Sequence, residues 1–79
     1  MADKHVSFEI CDDEQILEVH LDAAGLEFLV SQLEYLRRSK PPEHVHLMTP
    51  AWSGQELSEL KMNEKSHLVH HVKISVWPD

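Results

Sequence analysis

Period-two alternation of apolar and polar residues, repeated in four short runs around one helical stripe, most restricts the folds open to this chain. In His5-Val6-Ser7-Phe8-Glu9-Ile10, the residues Val6, Phe8 and Ile10 take one parity while His5, Ser7 and Glu9 take the other, as a strand with one face in a core requires. Leu17, Val19 and Leu21 alternate with Glu18 and His20, and Val45 and Leu47 alternate with His44, His46 and Met48. In the last run His67 and His71 oppose Leu68, Val72, Ile74 and Val76; only His70 has the apolar parity there, and Val69 falls on the polar one. Six of the seven histidines thus share the polar parity. Strands of this kind are expected to build a sheet with one apolar face and one face lined by imidazoles.

The order of elements follows. A first strand over about residues 4–10 passes through an acidic turn, Cys11 to Glu14, into a second strand over about 15–21, an antiparallel hairpin. Asp22 is placed to cap a helix whose stripe is Leu26, Leu29, Val30, Leu33 and Leu36, with Arg37, Arg38 and Lys40 at the carbonyl end and Pro41-Pro42 as the stop. Strands over about 44–48 and 67–77 complete the order β-β-α-β-β. The expected fold is α+β: a four-stranded sheet with one helix on its apolar face. With 79 residues there is room for one domain, residues 1–79, and a small core.

About eighteen residues separate the last two strands, long enough to carry structure or function of their own. Ser53-Gly54-Gln55-Glu56 reads as a capping box, which predicts a partly helical loop with a short helix through about Leu60. Trp52, just ahead of it, has two readings: a lid folded over the core, or an interface anchor of the type enriched at binding hot spots. Glu56, Glu59 and Glu64 make the segment acidic.

A formal charge of −7 argues against general binding of nucleic acid or anionic membranes and suits either plain solubility or a basic partner. No apolar run is long enough to span a membrane, and the start shows no secretory signal. Cys11 is the only cysteine and sits in an acidic setting that disfavours a thiolate, so the expected compartment is the cytoplasm and Cys11 is expected to be a turn residue. No phosphate loop, nucleophile elbow or His-Glu-x-x-His helix occurs, so no enzyme activity and no catalytic residue are expected. His44 and His46 form a His-x-His pair on one strand face, to which His71 or His67 could add a third imidazole; zinc bound there is the alternative to a chain without cofactor. A homodimer through a sheet face or edge is also left open.

The run His44-Val45-His46-Leu47-Met48-Thr49-Pro50-Ala51-Trp52-Ser53-Gly54-Gln55-Glu56-Leu57-Ser58-Glu59, followed by His70-His71-Val72-Lys73-Ile74, resembles the immunity protein 32 family of bacterial polymorphic toxin systems. The likeness is close over the second half of the chain and lies in order and length over the first; after the tryptophan the family has two glycines where this chain has Ser53-Gly54. It implies a small α+β protein that neutralises a cognate toxin domain in the cytoplasm, and it supplies no binding residues. Residue chemistry supplies those. For a basic toxin such as a nuclease, the expected contacts are Trp52 as anchor, Glu56 and Glu59 as an acidic rim, and His44, His46 and His71 beside them.

Overall fold

A computed structural model describes residues 4–11, 13 and 15–79. Of the expected acidic turn, Asp12 and Glu14 lie outside the described residues. The flanking strands β1 (Val6–Cys11) and β2 (Ile16–Leu21) form the expected hairpin, in a register that places Phe8 opposite Val19 and Ile10 opposite Leu17. Cys11 is a buried strand residue opposite Ile16, not a turn residue.

Helix α1 (Ala23–Arg38) starts where expected, at Asp22. One carboxylate oxygen of Asp22 accepts from Gly25 N at 2.7 Å and from His5 N at 3.0 Å, so the cap also ties the helix to the start of β1. Those two amide donors hold the Asp22 carboxyl below its usual range. The contact is close enough to need glycine: a Cβ on Gly25 would lie 2.0 Å from the His5 carbonyl oxygen. The buried seam of the helix is Gly25, Phe28, Leu29, Gln32 and Leu36, at the i, i+3, i+4, i+7 spacing of one face. Of the expected stripe, Leu29 and Leu36 belong to it, whereas Leu26, Val30 and Leu33 stand half exposed on the adjoining flank.

The chain is α+β, but the sheet is not the expected four-stranded one. Strands β1 and β2 are joined by the short β4 (His67–Leu68) in the order β2-β1-β4, while β3 (Glu43–Met48) pairs with β5 (His71–Val76) as a separate antiparallel ribbon. The expected last strand divides where its alternation slips. Val69 N donates to Phe8 O of β1 at 2.8 Å, and one residue on, the His70 carbonyl accepts Thr49 N at the end of β3 at 3.0 Å. The segment changes partner at that step, and both Val69 and Val72 face the core, which no uninterrupted strand permits.

The expected helix through Leu60 is absent as well. A single 3-10 turn occupies Pro50–Trp52, and Ser53 takes a left-handed φ of 69° behind it. The Glu56 carboxylate, expected to cap that helix, instead accepts Met48 N at 3.0 Å. Residues 54–66 run as irregular chain that returns across the molecule: Leu57 N donates to Met48 O and Ser58 N to Val6 O, filling the gap between β3 and β1. Leu57 thereby joins Val6, Phe8 and Leu47 in the core, with Leu21, Phe28, Leu29, Val45, Val69, Val72 and Ile74 packed around them.

Candidate binding surface

The polar-parity residues separate into two groups with different surroundings, so the single histidine-lined face does not form. On the three-stranded sheet, the crossing segment lies over Glu9 and Glu18, with Ser7, His5 and His20 bonded beside them. Glu9 is fully buried there. Its Oε2 accepts from Ser7 Oγ at 2.6 Å and Met62 N at 2.9 Å; its Oε1 accepts from Ser66 Oγ at 2.7 Å and Asn63 N at 3.0 Å. Burial alone raises a carboxyl pKa, but four donors aimed at the charged form outweigh it and bring Glu9 down to about 2. Asn63 Nδ2 reaches Glu18, and His20 Nε2 lies 2.9 Å from Glu18 Oε1.

Glu9, Glu18 and His20 are the one group of three among the described residues whose potential metal-ligand atoms converge within 4.8 Å. Both oxygens of Glu9 are already engaged by two donors each, so a cation would have to displace the segment's own amides. The chain of contacts from His5 Nε2 to Ser7 Oγ (3.0 Å) to Glu9 looks like a catalytic relay but differs in its proton order. Ser7 donates to Glu9 and is fully buried, which makes its hydroxyl a strut. Sequence reasoning assigned Glu9 to the polar face correctly and missed its burial, because alternation identifies a face without saying what covers it.

The second group lies in the open. On the β3-β5 ribbon, His46 Nδ1 is 2.7 Å from His71 Nε2, and the two rings stand 4.9 Å apart between centroids. His44 meets His46 edge to face at 4.8 Å, and the Trp52 indole lies 5.7 Å from the His71 ring. Four exposed rings thus form one row, brought together by the Met48–His71 register and by the 3-10 turn that carries Trp52 back beside β5. Partial loss of solvent, together with the charges of His44, His71 and Lys73, holds His46 below the usual imidazole range.

Trp52 is 55% exposed, so of its two readings the core lid is the one the structure overturns. Glu59 is exposed, and Glu56 is half-buried on Met48. His67 sits on β4 in the other sheet, opposite Ile10, and none of His44, His46, His67 and His71 belongs to a converging group of three ligand atoms among the described residues. Beyond His44 the surface falls into a cleft of about 310 Å³ between Glu43, Lys73 and the exposed Trp77. No helix of the described residues is long and apolar enough to cross a membrane. No protein-family profile, characterised protein or solved structure matches the chain.

Proposed function

We propose that this chain is a non-catalytic binding protein of the immunity type, which neutralises a basic toxin domain by covering it with the Trp52, His71, His46 and His44 row. The observation that carries the reading is the exposure of an indole and three imidazoles in one contiguous row. Trp52 offers a large apolar area at low conformational cost, the combination that dominates interface energetics. The exposed Glu59 and a net charge of −7 suit a cationic partner and speed its encounter. Glu56 supports the surface from beneath by tying the tryptophan segment to Met48. The resemblance over residues 44–59 and 70–74 adds the role class, with the cytoplasm as its setting.

The test is co-purification of the chain with the toxin domain encoded beside it, in chelator, together with rescue of growth in cells expressing that domain. A stable complex and rescue support the reading; absence of both overturns it. In the complex, Trp52→Ala should weaken binding by at least about tenfold, the loss typical of a hot-spot truncation. Its urea midpoint should match the parent's, since the ring is exposed.

A second reading has one observation behind it: the 2.7 Å approach of His46 Nδ1 and His71 Nε2 presents two imidazole nitrogens for a borderline cation such as zinc, with His44 adjacent. Calorimetric titration of the chain alone with zinc distinguishes it. Binding abolished by His46→Ala and kept in His67→Ala favours this reading, and binding indifferent to His46 removes it.

A further inference from the structure

The apolar parity of β2 is correct, yet of its three residues only Leu21 packs against the core. Leu17 is 59% exposed and Val19 41%, with Ile10 of the neighbouring strand at 39%. Helix α1 leaves them open because it lies over the side of the sheet nearer β3: Tyr35 on one helix flank donates to Glu43 Oε2 of β3. At 100° per residue, Leu26, Val30 and Leu33 lie on the opposite flank, toward β2. They too are about half exposed, at 52%, 48% and 47%. The sheet floor and the helix flank together make an apolar step beside β2.

Strand β2 is also the outer strand of its sheet, paired only with β1. Its six residues, Ile16–Leu21, pair without interruption and include neither the lysine nor the proline by which outer strands are usually kept from pairing further. We infer that this step and edge are the interface between two copies of the chain, with β2 pairing antiparallel to β2 of the second copy about a two-fold axis through Val19.

Side-chain chemistry selects that register. An antiparallel two-fold needs residues of like parity opposite one another, so the axis must pass through a residue and not between two. Centred on Glu18, the pairing sets two carboxylates face to face. Centred on Val19, it sets Val19 against Val19 and Leu17 against Leu21 on the apolar face, and Glu18 against His20 on the polar face, so every pair from Leu17 to Leu21 is complementary. The ring row lies on the other sheet, so the dimer leaves that surface open, and the inference does not depend on the proposed toxin.

Sedimentation velocity of the whole chain across the micromolar range tests it, with three variants. The parent should sediment as a dimer, and Val19→Lys, which opposes two ammonium groups on the axis, should weaken association by at least about tenfold while keeping the far-ultraviolet dichroism. Under mild oxidation Val19→Cys should become a disulfide-linked dimer, because its thiols meet on the axis. Leu17→Cys should not, because it faces Leu21 of the other copy, and the parent controls for buried Cys11. A parent that stays monomeric, a Val19→Lys dimer as tight as the parent, or cross-linking of Leu17→Cys as fast as that of Val19→Cys overturns the proposal.

Discussion

Glu9→Gln should detach the segment that crosses the polar face of the β2-β1-β4 sheet. Each carboxylate oxygen accepts one hydroxyl and one backbone amide: Ser7 and Met62 on Oε2, Ser66 and Asn63 on Oε1. Glutamine keeps one oxygen and replaces the other by a donor. Either serine can rotate to accept from that donor, but a backbone N–H cannot, so in either orientation one part-buried amide loses its acceptor and faces another donor. A buried unsatisfied donor costs about 1–3 kcal/mol, and the remaining bonds lose their charge assistance, so the total should be about 2–4 kcal/mol. That is a large share of the about 4–12 kcal/mol available to a chain of 79 residues.

The pH dependence gives an independent arm. Glu9 has its folded pKa lowered from 4.5 to about 2, so its contribution is present above pH 4.5 and is lost as pH falls from there through about 2. In that window the parent should lose at most about 3 kcal/mol through this group, and Glu9→Gln should lack that component. Urea unfolding at pH 7 and at steps below pH 5 supplies both readings, and hydrogen exchange of the Met62 and Asn63 amides locates the change. A midpoint shift worth less than about 1 kcal/mol at pH 7, or amide protection equal to the parent's, would refute the view that Glu9 holds this segment down.

Two further outcomes follow from the helix junction and the ring row. Gly25→Ala should destabilise the chain by about 1–3 kcal/mol in thermal melts, despite the helix propensity gained, because the new methyl meets the His5 carbonyl at 2.0 Å and backbone must shift; an unchanged or higher melting temperature counts against that close approach. His46 should titrate below the usual imidazole value of about 6.5 by proton NMR, and His71→Ala should raise its midpoint. With a lowered folded pKa, the neutral ring is the form that suits the fold, so this group's effect on stability is absent above pH 6.5 and turns unfavourable as pH falls below it. A midpoint at or above 6.5 in the parent removes the charge coupling from the row.

Much of the site was legible in short-range pattern. Two-apart spacing put His44 and His46 on one strand face, and both the Asp22 cap and the Pro41-Pro42 stop bounded the helix as read. Even the division of the last strand was written in the parity slip at Val69 and His70, although its meaning required knowing that β1 and β3 compete for the same segment. The Ser53 to Glu56 pattern failed because the Glu56 carboxylate found a better-placed donor, Met48 N, eight residues away. Capping boxes are local motifs, and a long-range acceptor site overrode this one.

By itself the sequence determined the hairpin, the capped helix and the third strand, with the parity of their residues, because backbone geometry makes alternation and capping functions of neighbours a few positions apart. Tertiary structure alone decided which faces are covered. Glu9 is sealed under residues fifty and more positions away, while Leu17 and Val19, on the apolar parity, stay about half exposed although the helix touches both sheets. Burial depends on what the rest of the chain is long enough, and free enough, to lay across each face, and no local pattern contains that information.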